Sequence, residues 1–162
     1  MSSAGAGVPT RTAAALGALF TTVLVACSAE APRDSAGVVT AAATSDAFSV
    51  TVGDCVGKLE GDTTESLALI PCAEKHYWEA FATHDLTGTD FPGTGEVQSR
   101  ADDACTEAFG DFVGIPADES KYELTFLVPT KETWTRGNDR EVVCLVGSSN
   151  GGLSGSLQDA AK

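Results

Sequence analysis

The sequence predicts an α+β fold: a small antiparallel sheet packed by one main helix and held by two disulfides. Three observations predict it. Residues 95–113 repeat their apolar positions at spacings of three and four, the period of a helix with one buried face. Several short segments of strand character surround that helix. Four cysteines, Cys55, Cys72, Cys105 and Cys144, remain once Cys27 is assigned to a different role, and an even number in an exported domain argues for disulfides.

Taken in chain order, Phe48-Ser49-Val50-Thr51-Val52 alternates and stops at Gly53-Asp54, which predicts a half-buried strand. Residues 67–72, 78–83 and 141–146 are apolar on both parities, the pattern of central strands. In the helix, Val97, Ala101, Ala104, Cys105, Ala108, Phe109, Phe112 and Val113 share one face, and Arg100, Asp102, Asp103, Glu107 and Asp111 fall largely on the solvated side. Thr94 is the expected N-cap, Glu96 sits where the helix dipole favours an anion, and Gly114 before Ile115-Pro116 is the stop. Residues 122–126 alternate again before Pro129, and Arg136-Gly137-Asn138-Asp139 reverses the chain ahead of the last strand. Cys144 shares its parity with Val142 and Val146, so it reaches Cys105 if that face lies under the helix. Four cysteines permit three pairings; order along the chain favours Cys55 with Cys72 and Cys105 with Cys144. Each bridge contributes about 3 to 4 kcal/mol in the loop-entropy description. Zinc is the competing use, but no tight Cys-x-x-Cys pair preforms half a tetrahedral site, so neither metal nor cofactor is expected.

The N-terminus sets the address. Residues 13–26 form an apolar run, shorter than the roughly 20 residues that cross a bilayer. The run ends in Leu24-Val25-Ala26-Cys27, which reads as a lipobox. Residues 1–26 are therefore expected to be a lipoprotein signal peptide, and Cys27 the lipid-anchored first residue of a mature chain on the extracytoplasmic face of the cell membrane. Two acyl chains, at about 0.8 kcal/mol per buried methylene, hold far better than one. Residues 28–47 are rich in Ala, Ser and Thr, and with Cys27 they are expected to form a tether with an r.m.s. reach of roughly 25 Å. The domain then spans 48–157, with a tail at 158–162. The formal charge of −13 repels phosphate backbones and anionic lipid headgroups, so nucleic acid is not an expected partner; the membrane, through the lipid on Cys27, and a protein or cell-wall component are.

No constellation predicts an enzyme. Gly147-Ser148-Ser149-Asn150-Gly151 matches Gly-x-Ser-x-Gly, but the glycine-rich sequence after it is a poor helix, and both histidines precede it where a hydrolase needs one later. His76 and His84 share strand parity but stand about 26 Å apart, with Glu79 on the opposite face, so they do not share a metal. The pairs Asp102-Asp103 and Asp118-Glu119 diverge rather than converge on a substrate. Scarce aromatics make Tyr77, Trp78 and Trp134, together with His76, the binding candidates, weighed against burial of both tryptophans in the core.

A set of motifs, in order, resembles a known family. Val52-Gly53-Asp54-Cys55 is followed by Ile70-Pro71-Cys72-Ala73-Glu74-Lys75-His76 with Glu79 and by Ala104-Cys105 before Ala108-Phe109. Pro129-Thr130, Trp134, Gly137, Val143-Cys144 and Gly155-Ser156-Leu157 complete the set. It resembles the septum-formation domain family of actinobacterial envelope proteins. The resemblance implies an extracytoplasmic, cysteine-stapled domain, often lipid- or membrane-anchored, linked by name to cell division, and supplies no catalytic residues. The expected function is a non-enzymatic envelope lipoprotein acting as a binding or adaptor module in septum formation or envelope maintenance. The alternatives are a small-ligand or lipid carrier, which needs an apolar cavity between helix and sheet, and a small hydrolase.

Overall fold

A computed structural model describes Met1, residues 30–61 and residues 66–161. The lipobox and Cys27 lie outside the described residues. Eight elements follow one another: β1 (Ala43–Asp46), β2 (Cys55–Val56), β3 (Ser66–Ile70), β4 (Trp78–Asp85), α1 (Thr94–Val113), β5 (Glu123–Leu127), α2 (Lys131–Arg136) and β6 (Glu141–Gly147). The strands form one antiparallel sheet in the order β1-β3-β2-β4-β6-β5. The fold is α+β as expected, with one main helix and the bridges Cys55–Cys72 and Cys105–Cys144.

Alternating side chains give β6 two buried faces. Val142, Cys144 and Val146 meet Val97, Ala101, Cys105, Phe109 and Val113 of α1, with Phe81 edge-on to Phe109. The Cys105–Cys144 bridge therefore ties the helix to the face it covers. Val143 and Leu145 point the other way and pack with Val56, Leu67, Leu69 and Trp78. β6 and β3, which are not neighbours in the sheet, belong to this one core, over which the sheet curls. A register shift between Ala80 and Ala82 helps to turn β4, leaving Phe81 as the extra residue aimed at the helix side.

The helix starts one residue early, with Gly93 rather than Thr94 at the cap and no side-chain bond there, and stops at Gly114. Two expectations at the N-terminal end are corrected. Residues 30–47 do not form a free tether: Ala31 and Val39 are buried in the second core, Arg33 bridges to Val39, and β1 pairs with β3. Composition concealed this because β1 is held by backbone hydrogen bonds that do not depend on side-chain type. Residues 48–52 are not a strand. The Asp46 carboxylate accepts the Phe48 N–H and starts a 3₁₀ turn; the Asp54 carboxylate accepts the Thr51 N–H, so the chain bends at both ends of the alternating run. Val50 alone points inward, leaving Phe48 and Val52 exposed.

Candidate functional site

Residues 71–79 carry the densest set of candidate side chains, and the structure engages them in a clasp for the C-terminal segment. The Pro71 carbonyl accepts the Glu74 N–H at 2.8 Å, closing a turn. His76 is fully buried, and its Nδ1 lies 2.9 Å from the Glu74 carbonyl oxygen. A carbonyl only accepts, so Nδ1–H is the donor in this contact. Among the described residues, Nε2 is the one buried side-chain nitrogen or oxygen with no hydrogen-bond partner. The His76 backbone exchanges two bonds of 3.1 Å with Leu153, the Cys72 carbonyl accepts the Gly155 N–H at 2.6 Å, and Lys75 Nζ donates to the Gly152 carbonyl at 2.8 Å. Glu79, buried beside them in β4, accepts Ser156 Oγ at 2.7 Å on one oxygen and the Leu157 N–H at 2.6 Å on the other. Residues 153–157 are thereby strapped across the start of β4, and Leu157 enters the helix-side core.

The Gly-x-Ser-x-Gly match has a packing explanation. A Cβ at Gly147 would collide with the Tyr77 carbonyl oxygen and come within 2.9 Å of Trp78; one at Gly151 would come within 2.7 Å of the Tyr77 ring. Ser149 donates its Oγ and backbone N–H to Glu123 at 3.0 and 3.2 Å, and the chain continues in turns, not in a helix.

The aromatic candidates do not gather into a binding surface. Trp134 is 1% exposed, its Nε1 donates to the Thr89 carbonyl at 3.1 Å, and the Arg140 guanidinium stacks 3.8 Å from its ring. Arg140 also donates to the Gly88 and Trp134 carbonyls, fixing α2 against the loop after β4. Trp78 lies in the second core and Tyr77 is half-buried against Gly151. Among the binding candidates, His76, Trp78 and Trp134 therefore offer a partner no surface. His84 lies exposed at the far end of β4 from His76, and among the described residues no three His, Cys, Asp or Glu side chains are grouped to hold a metal.

Sequence reasoning missed two features. Arg33 meets buried Asp54 through two bonds, of 2.6 and 2.7 Å, and extends further bonds to the Gly37 and Ser49 carbonyls. The hydrogen bond to Asp54 raises the guanidinium above its ordinary range, against an opposing effect of burial. The partners are 21 residues apart, so no local pattern announces them. The second is a shallow cleft of about 470 Å³ between Phe48, Leu86 and the charged side chains of Asp85, Asp139, Arg140 and Glu141. Asp85 and Glu141 are direct cross-strand partners. Partial burial, then the charges of Asp85 and Asp139, push the Glu141 carboxyl above its usual range.

These contacts define a class: a disulfide-stapled α+β domain whose N- and C-terminal segments are both locked onto one curled sheet. Residues 21–144 match the model of the family described as Septum formation, and the chain belongs to that family. The match begins ahead of Val52, the first residue of the motif set, and ends at Cys144, ahead of Gly155-Ser156-Leu157. Two proteins described as uncharacterized membrane proteins, from two strains of Mycobacterium tuberculosis, are each 27% identical over 105 residues, covering 59% of this chain and 23% of the relative. The aligned part is thus less than a quarter of those relatives' length. No solved structure gives a significant match.

Proposed function

We propose that this protein is a lipoprotein anchored through Cys27 on the outer face of the cytoplasmic membrane, where its domain serves as a non-enzymatic binding module in septum formation or envelope maintenance. The observation that favours a non-enzymatic role over a hydrolase is the use of the candidate polar groups: Glu79, Ser156 and Ser149 are all engaged in internal hydrogen bonds, and His76 is sealed in the core. Family membership and the membrane relatives support the envelope assignment. Among the described residues no helix is long and apolar enough to cross a membrane; the anchor in this reading is the lipobox cysteine, Cys27. The carrier reading is weakened because the space between α1 and the sheet is filled by Phe81, Phe109, Val113, Val146 and the buried disulfide.

Mass spectrometry of the membrane fraction is expected to find diacylglyceryl on Cys27, and Cys27→Ser to release the protein. Cross-linking from the anchored protein in intact cells is expected to enrich septal or wall-synthesis components. An unmodified Cys27 removes the anchor; capture of randomly distributed neighbours alone removes the division role.

A further inference from the structure

The large apolar side chains most exposed among the described residues, apart from Met1, are Val38 at 51%, Phe48 at 60% and Val52 at 53%. All three belong to the N-terminal segment, and each is next in sequence to a residue held by the Arg33–Asp54 pair. Gly37 and Ser49 accept from Arg33, and Thr51 donates its N–H to Asp54. Their neighbours Ala31, Val39 and Val50 are buried together in the second core, so the exposed side chains stand on a fixed base rather than on mobile chain.

The position of the anchor gives this surface an occupant. Ala31 is already packed, and it lies four positions after Cys27, a reach of at most about 14 Å in any conformation. Arg33 lies within at most about 21 Å of Cys27 by the same bound. A domain fixed within that distance of its lipid keeps the surface around the start of the folded chain next to the bilayer.

We infer that Val38, Phe48 and Val52 form a docking surface for the interfacial region of the membrane that holds Cys27. This rests on the lipid-anchor proposal and adds to it an orientation: the Arg33–Asp54 side faces lipid, and α1, on the opposite side of the curled sheet, faces away. Half-exposed apolar groups suit shallow seating at the headgroup boundary rather than deep insertion, and the carboxylates of Asp85, Asp139 and Glu141 beside Phe48 favour zwitterionic over anionic headgroups.

The test uses the full chain, purified from membranes with its anchor and reconstituted into phosphatidylcholine vesicles. Phe48→Trp and Val52→Trp place reporters in the surface, while the native tryptophans are buried; Glu107→Trp on the solvated side of α1 is the control, and near-UV circular dichroism confirms the fold of each variant. Brominated phosphatidylcholine is expected to remove at least about half of the reporter emission at 48 and 52 and to leave that at 107 unchanged, given seating about 5–10 Å into the boundary. Retention on vesicles with unquenched reporters at both sites overturns the docking surface and leaves the anchor standing. Failure of retention with an unmodified Cys27 overturns both. Blue-shifted, unquenched emission that grows with protein concentration reassigns the surface to a second copy of the chain.

Discussion

At the scale of single residues, the Arg33–Asp54 pair is the interaction on which the N-terminal segment most depends. Asp54 is 3% exposed and Arg33 19%, so removing the cation strands a carboxylate that water scarcely reaches. Breaking a buried pair costs about 3 to 5 kcal/mol, and the partial exposure of Arg33 places Arg33→Met near 3 kcal/mol in urea unfolding. Adding Asp54→Asn removes the stranded charge while keeping an acceptor for Thr51, so the double variant should be more stable than Arg33→Met alone; a double variant less stable than the single one contradicts this account. Glu141 behaves oppositely. Its folded-state pKa is raised by burial and by Asp85 and Asp139, so the folded protein holds the proton more tightly than the unfolded chain. Stability is therefore lost as pH rises from the ordinary glutamate range through the raised value, and Glu141→Gln should stabilise at neutral pH. Solvent screening limits the gain to less than about 1 kcal/mol. Thermal melts should show the gain vanish in acid, below the ordinary carboxylate range; a gain that persists there contradicts the assignment.

At the scale of elements, the C-terminal clasp explains why the motif around His76 and Glu79 exists without chemistry attached. Glu79→Ala leaves Ser156 Oγ and the Leu157 N–H without their acceptor, at about 1 to 3 kcal/mol for a buried donor. Native-state hydrogen exchange should quicken at Leu153, Gly155 and Leu157 while α1 keeps its protection; uniform quickening would instead make the clasp part of the global unit. Gly147→Ala, which drives a methyl into the Tyr77 backbone, should be more damaging than Gly152→Ala, where nothing lies within 4 Å and only the positive φ opposes the change. The helix, strands β3 to β6 and both bridges were legible in the sequence because period and parity record burial directly: Val97, Ala101, Cys105, Phe109 and Val113 are the buried positions the spacing selects. Elements held by the backbone or by polar pairs were not legible. β1 pairs through main-chain bonds in an Ala-Ser-Thr sequence, and Arg33 finds Asp54 across an intervening loop. The six-residue α2 was missed because its signal is a local capping box between Thr130 and Thr133, too short for periodicity to register. Of the binding candidates, the aromatic rule selected Trp134 for a reason that also fits a core residue, and Phe48, the aromatic exposed among the described residues, was assigned to a strand that does not form.

At the scale of the whole molecule, two cores share β4 and β6, and the disulfides divide between regions. Cys105–Cys144 is sealed between helix and sheet, with both residues at most 1% exposed. Cys55–Cys72 links β2 to the turn that begins the clasp, and Cys72 is only half-buried. Loop lengths of 17 and 39 residues give contributions of about 3 and 4 kcal/mol, a sum comparable to the whole stability of many domains. The fully reduced chain should therefore be marginal or unfolded. Thiol–disulfide exchange needs access to a sulfur, so reductant should open the two bridges in order under native conditions. Alkylation and peptide mapping during a mild reductant titration should show a two-thiol species labelled at Cys55 and Cys72, with near-UV circular dichroism from the helix-side core retained. Labelling at Cys105 and Cys144 should appear only with loss of that signal, because their exposure requires α1 to leave the sheet. First labelling at Cys105 and Cys144 would show the helix to be the looser element, and would overturn the picture of a domain whose two ends are fastened onto a more stable centre.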